Sequence, residues 1–488
     1  MKPQIIHGQW WLPDGIKSYG ELSINHIDKE IDLTLYTSKY LDGIDIKPNQ
    51  FNKMQRYHHV IYGDYCTLYQ CYYKGWEKIG EELYKLRYKI SYYLNGVHVN
   101  NIKDFKIKAT SFLISELQNW YDGNDVNYKL NGRGGIWRNG KEERVSTLKT
   151  ESLVVSDNMT LIFHDEILKE HLDFNTSIKT YYQKSIIFEY KNGVEFKDSI
   201  MNAIRFKKLL EISAGKPLSL KILYVMHDSK FNVDSSISSD ISRTSVTNFT
   251  LNQNDITNSL SRWGMLFSNW NCDKNELHDI IKLWFSCVEE YEVIIDNFID
   301  SNNWFQDSDV RLTNVMFNNR FLNIIQSIED YHRKRIKNGI DNKKSIDDFY
   351  RKKMEIMNFL PPKSELKKWF NDRFVYKIKD NLRTKIEEVF NDIYDVISVA
   401  MPEVKFDEFL KKTVSYRNDL SHGINQQTSL GDDFRINYLV AKMILTVCVL
   451  KILQVKNISD KLKDYSAFRD MYYEVINYQD DIGNFKEV

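Results

Sequence analysis

An arginine and a histidine close together in a chain are enough, in principle, to cleave a phosphodiester without a metal. The stretch Tyr416-Arg417-Asn418-Asp419-Leu420-Ser421-His422-Gly423 holds such a pair. A guanidinium fork neutralises a phosphate and hydrogen-bonds two of its oxygens. An imidazole gives and takes protons near neutral pH. The spacing Arg-x-x-x-x-His says little by itself in a chain with 11 histidines, so the surrounding elements must carry the case.

Residues 404–422 read as a helix with an apolar stripe of Phe406, Phe409, Leu410, Val414 and Leu420. Arg417 falls beside that stripe, where a buried charge costs stability unless a carboxylate or a phosphate meets it. Arg417 and His422 are further apart than one helical turn, so they share a cleft only if the helix ends there. Gly423 supplies that ending as a C′ residue, and the helix C-terminus then favours the protonated imidazole. A structural alternative stands beside this one: Arg417 pairs with Glu329 or Asp419, and His422 caps carbonyls.

The chain has 488 residues, which predicts at least two domains. It is 42% hydrophobic and 27% charged with zero formal net charge, the composition of a globular protein with an ample core. No global field draws it to nucleic acid or membrane, so such contacts must be local. Five cysteines at irregular spacing, without Cys-x-x-Cys, fit free thiols in a reducing cytoplasm. The N-terminus lacks a signal-peptide core. The most apolar run, Leu439 to Leu453, is interrupted by Lys442 and Lys451 and reads as a buried helix, so no membrane span is expected.

The fold class expected is α+β: a β-rich N-terminal domain (1–250) followed by an all-α helical bundle (251–488). Alternation predicts strands at 20–24, 31–36, 59–63, 66–71, 88–94, 159–163, 185–190 and 218–226. Helical periods are expected at 104–121 and 196–212. Residues 228–260 are rich in Ser, Thr, Asn and Asp and read as the domain boundary, with an excursion of the β domain as the alternative. Beyond it, helices are expected over 275–298, 313–337, 345–360, a short one from Ser364, 374–399, 404–422, 434–453 capped by Asp432-Asp433, and 458–476.

Weaker candidates surround the main one. Asp419 and Glu329 are possible supports for Arg417. Arg333, Lys334 and Arg335, with Lys411 and Lys412, could line a phosphate track, although such clusters are more often solvated faces. Asn131 to Lys141 is a Gly/Arg stretch in which Arg133, Trp137 and Arg138 could clamp a backbone and stack on a base; a surface hairpin is the plainer reading. No metal-ligand spacing is seen and no cofactor is expected.

Together these residues resemble a known family. Tyr416 to Gly423, at the end of a helix in an α-helical C-terminal domain, resembles the HEPN ribonuclease signature, with Asn418 in the polar place beside arginine. Phe321 to Arg333 looks like the earlier helix of the ApeA-type HEPN subgroup. Gly8-Gln9-Trp10-Trp11-Leu12-Pro13, Gly20-Glu21-Leu22, and Ile61-Tyr62-Gly63 with Thr67-Leu68 are similar to the ApeA N-terminal domain. The resemblance implies a bacterial anti-phage abortive-infection protein with a metal-independent endoribonuclease, usually a homodimer with a composite cleft. It implies that Arg417 neutralises the scissile phosphate, that His422 is general acid or base, and that Asn418 orients one of them. RNA, with tRNA leading, would be the substrate, and a phage-derived trigger would act at the N-terminal domain. The alternative is a non-catalytic RNA- or partner-binding protein on an inactive HEPN-like bundle.

Overall fold

A computed structural model gives the fold. It describes residues 3–25, 29–38, 40–41, 44–45, 48–81, 83–99, 103–122, 129–131, 135–138, 141–144, 150–171, 178–228, 241–248, 260, 264–302, 314–336, 340–362, 364–374, 381–421 and 431–486. Contacts divide the chain into two units. One is Met1–Glu211 with Pro217–Arg262; the other is Ile212–Lys216 with Trp263–Val488. The first is β-rich and the second mostly helical, as expected.

In the β-rich unit, strands whose alternation is cleanest over Lys17–Asn25 and Glu30–Ser38 build a closed barrel. Its strands are β1 (Gln4–Trp11), β2 (Lys17–Asn25) and β3 (Glu30–Ser38). After the short pair β4 (Tyr40–Leu41) and β5 (Ile44–Asp45) and helix α1 (Pro48–Met54) come β6 (His58–Gly63), β7 (Cys66–Lys78) and β8 (Leu83–Asn95). The order β8-β3-β2-β1-β6-β7 is closed by the β7–β8 pairing, and every ladder is antiparallel. In β3, Ile31, Leu33 and Leu35 are buried while the residues between them are not. They join Trp10, Leu22, Leu68, Leu86 and Tyr88 in one core, because residues two apart share a strand face. Gly20 is required where β2 passes β3: a Cβ there would run into the Thr34 carbonyl oxygen and the Leu35 side chain.

Six further strands continue this sheet from β8. They are β9 (Lys106–Ile114), β13 (Thr150–Ser156), β14 (Met159–His171), β15 (Ile178–Glu195), β16 (Leu220–Asp228) and β17 (Ile241–Asn248), in the order β13-β14-β15-β9-β16-β17. Helix α2 (Leu117–Asp122) follows β9, and α3 (Phe196–Ala214) follows β15. Phe206 of α3 packs against Phe163 and Phe188 of the sheet. A separate three-stranded sheet holds β10 (Lys129–Asn131), β11 (Gly135–Arg138) and β12 (Lys141–Arg144).

Two expectations need correction here. Residues 104–121 are not one helix but β9 and then α2. From Ala109 to Ile114 every residue of β9 is buried, because it runs between β15 and β16 and is covered on both faces. That erases the alternation, and the remaining apolar positions mimic a helical period. The polar stretch 228–260 is not simply a linker: β17 lies within it, pairing with β16 and β8, with Val246 buried. The excursion was the right alternative for those residues.

The helical unit contains α4 (Lys274–Cys287), α5 (Glu292–Asn302), α6 (Asn314–Tyr331) with a π turn at His332–Ile336, α7 (Ile340–Phe359) and α8 (Glu365–Arg373). These are followed by α9 (Leu382–Asp392), α10 (Tyr394–Ala400), α11 (Phe406–Ser421), α12 (Asp432–Ile452), α13 (Ile458–Asp464) and α14 (Ser466–Lys486). Three expected helices are each two: α4 and α5 divide before Glu292, α9 and α10 at Ile393, α13 and α14 at Tyr465. Periodicity survives such short breaks, so sequence joins what geometry separates. Ser364 caps α8 by accepting from the Lys367 backbone N–H, at 3.1 Å. At α12 the cap residue is Gly431, not the aspartates; Asp432 and Asp433 lie in the first turn. Helix α12 is the centre of this unit. It packs against α5, α6, α10, α11 and α14, and from Phe434 to Ile452 all but Arg435 and Lys451 are buried. A helix surrounded on all sides needs an apolar circumference rather than a stripe, which explains the 439–453 run. Among the described residues no helix is long and apolar enough to cross a membrane.

Candidate functional site

Helix α11 carries Arg417. Asp407 and Glu408 in its first turn oppose the helix dipole favourably. The Phe406 ring stacks on Phe390 of α9, with centroids 3.4 Å apart. Phe409, Leu410 and Thr413 are buried. Arg417 stands one turn beyond Thr413 on the same side and is half-buried. Past Thr413 the packed side of α11 therefore carries a guanidinium, with the half-buried Leu420 beyond it. Among the described residues no carboxylate forms an ion pair with Arg417. Asn418 is exposed and Asp419 half-buried. The helix is described to Ser421; His422 and Gly423 lie outside the described residues.

Around Arg417 the helix is fastened to α12. The Asn437 side-chain amide, inside the core, donates to the Thr413 hydroxyl at 2.7 Å. One turn on, the Tyr416 hydroxyl donates to Asp433 Oδ2 at 2.7 Å. The Tyr416 ring meets Phe434 edge-on at 5.0 Å and Phe321 of α6 at 6.5 Å. Lys412 Nζ reaches Asp433 Oδ1 at 2.6 Å and Glu408 at 2.7 Å. Tyr478 of α14 adds a longer bond to Asp433, 3.4 Å.

The electrostatics follow from this geometry. Partial burial raises the Asp433 carboxyl, but donation from Lys412 and Tyr416 outweighs it and holds the group below the usual range. Burial, then the facing Asp433, pushes the Tyr416 phenol well above its ordinary value. Lys412 is lowered by burial and raised more by its two carboxylates, for a net rise. All three keep their charge states across the physiological range. A cavity of ≈ 90 Å³ opens beside Lys412, Asp433 and Tyr478. Arg417 is not among its lining residues, so this cavity and the residue best suited to phosphate chemistry do not coincide.

The remaining candidates are placed as follows. Glu329 lies on α6, and its carboxylate is taken by Lys385 of α9 at 2.8 Å rather than by Arg417. Arg333 turns back to Asp330 at 2.8 Å. Lys334 bonds the Glu290 carbonyl and sits 5.6 Å from the Tyr291 ring centre. Arg335 is half-buried and Lys411 exposed. Lys412, expected on a phosphate track, is engaged with Asp433 and Glu408. Arg133 lies outside the described residues. Trp137 and Arg138 are on β11, opposite Lys129 and Lys141. Among the described residues no group of three or more His, Cys, Asp or Glu side chains is placed to hold a metal ion.

Sequence reasoning read Asp433 as a helix cap and passed over Tyr416. The available signal was an aromatic hydroxyl directly before the arginine, with two adjacent acids where the chain re-enters a helix.

Comparison with protein families decides what this arrangement belongs to. The ApeA N-terminal domain 1 model matches residues 5–284, and the Apea-like HEPN model matches residues 322–458. The chain belongs to the ApeA family. The N-terminal match covers the β-rich unit and continues into α4. The HEPN match begins in α6 and contains the whole of α11, so Arg417, Asn418 and His422 all fall inside it. HEPN domains are generally ribonucleases and commonly dimerise and bind RNA; the ApeA and HEPN matches together support a nuclease role in anti-phage defence. No curated protein and no solved structure matches the chain.

Proposed function

We propose that this protein is a metal-independent endoribonuclease of anti-phage abortive infection, acting in the cytoplasm on RNA, with tRNA the first substrate to test. The 2′-hydroxyl of the nucleotide 5′ to the cut loses its proton to a base and attacks the adjacent phosphorus. The bond to the 5′-oxygen breaks, that oxygen takes a proton, and a 2′,3′-cyclic phosphate remains. Arg417 neutralises the charge that builds on the phosphoryl oxygens. His422 moves the proton on one side of the reaction. Asn418, exposed beside Arg417, orients the phosphate or the imidazole.

One observation supports this reading above the rest. Arg417 lies on the packed side of α11 inside the HEPN match, half-buried, with no carboxylate partner among the described residues. A half-buried guanidinium without a carboxylate in that position favours a phosphate. Two copies joined through the helical domain would supply two such motifs to one cleft. The β-rich N-terminal half would receive a phage-derived trigger or restrain the nuclease.

The test is incubation of the purified protein with tRNA in EDTA. Cleavage that disappears in Arg417→Ala and in His422→Ala supports the proposal. RNA binding without cleavage, unchanged by His422→Ala, would instead make the protein a non-catalytic binder.

A further inference from the structure

We infer that Asp433, acting through Tyr416, is a positioning residue for Arg417; the inference rests on the nuclease reading above. Helix α11 is described to Ser421, and α12 runs from Asp432. Asp433 therefore stands in the first turn of α12, and Tyr416 in the last turns of α11, directly before Arg417. The 2.7 Å bond between them ties the end of α11 to the start of α12. The same carboxylate takes Lys412 at 2.6 Å, one turn back on α11. One side chain on α12 thus holds two points on α11.

This fixes what Arg417 needs fixed. A helix end is free to fray and to rotate unless a side chain near it is held. Tyr416 is held twice, by its hydroxyl on Asp433 and by its ring against Phe434 and Phe321. With Tyr416 locked, the next residue can leave the helix in only one direction, about 100° further round. The deeper Asn437–Thr413 bond at 2.7 Å sets how α11 lies on α12 but touches neither Tyr416 nor Asp433. The two fastenings therefore have separable jobs: Thr413 serves packing, and Asp433 serves aim. Catalysis is sensitive to displacements of about an ångström in a phosphate-holding group, so loss of aim should reach the chemical step before it reaches binding.

The experiment compares Asp433→Asn, Tyr416→Phe, their double variant and Thr413→Val, using full-length protein and a defined RNA in EDTA, beside wild type and Arg417→Ala. Asp433→Asn and Tyr416→Phe should each lower kcat by roughly tenfold with KM within about twofold. The double variant should lose little more in kcat than Asp433→Asn alone, because the Tyr416–Asp433 connection is already broken there. Asp433→Glu should recover part of the loss. Thr413→Val should lower Tm at least as much as Tyr416→Phe while keeping kcat. A second readout needs no catalysis: amide hydrogen exchange over residues 417–421 should speed up in Asp433→Asn and Tyr416→Phe and stay slow in Thr413→Val. Wild-type kcat in Asp433→Asn, additive losses in the double variant, or unchanged exchange at 417–421 would each overturn the inference. Failure of the nuclease reading looks different, namely no Arg417-dependent cleavage by wild type, and the exchange readout still judges the clamp in that case.

Discussion

Lys385 Nζ on α9 lies 2.8 Å from Glu329 Oε2 on α6. Two more polar contacts extend the same seam: Tyr331 donates to Asp392 at 2.7 Å, and His332, almost fully buried, meets Glu388 at 2.7 Å. Glu329 thus belongs to the packing of α6 on α9 rather than to Arg417. Glu329→Gln should leave RNA cleavage at the wild-type level and lower stability by at most about 1 kcal/mol, since the pair is partly solvated. Cleavage kinetics and thermal unfolding of the purified variant check both halves.

Lys442 makes a pH prediction. It is buried in α12 and donates to the Ser301 carbonyl at 3.0 Å. Burial, with the Arg320 charge nearby, brings its pKa down to about 7. The unfolded chain holds that proton up to about pH 10. Between those values the unfolded state binds more protons, so stability contributed at this site rises with pH from about 7 to about 10 and is lost on the way down. Lys442→Met should therefore stabilise at neutral pH by about 1–4 kcal/mol and flatten that slope. Denaturant unfolding at pH 7 and pH 9 measures it; a destabilised variant would mean the amine's hydrogen bonding outweighs its burial.

Lys411 and Lys412 are neighbours with opposite expected phenotypes. Lys411 is exposed, so Lys411→Ala should weaken RNA binding modestly and reduce the slope of log affinity against log salt by up to about one unit. Lys412 is spent on Asp433 and Glu408, so Lys412→Ala should lower Tm and leave the salt slope unchanged. Binding titrations at several salt concentrations, with melting curves alongside, separate the two.

The reach of the sequence depends on how each element is covered. In β2 and β3 one face is buried and the other open, so alternation is clean and the strands are legible. In β9 both faces are covered, and the pattern imitates a helix. The α12 run is legible as buried because its whole circumference is apolar. At the candidate site, Arg417 is readable because spacing places it beside the apolar stripe, three residues after Val414 and seven after Leu410. The clamp is only half-readable: the hydroxyl before Arg417 and the paired acids at 432–433 are visible, but that they meet depends on α11 and α12 lying side by side. The same limit applies to Glu329: its identity suggested a partner for an arginine, and only the packing of α6 on α9 assigned it to Lys385.

The central claim is that Arg417 and His422 cut RNA by attack of its own 2′-hydroxyl. The most direct measurement is mass spectrometry of the RNA termini made in EDTA by wild type, Arg417→Ala and His422→Ala. The prediction is a 2′,3′-cyclic phosphate and a 5′-hydroxyl from wild type, with both ends reduced at least about a hundredfold in each variant. A 5′-phosphate product, or the same ends in equal yield from His422→Ala, would contradict it.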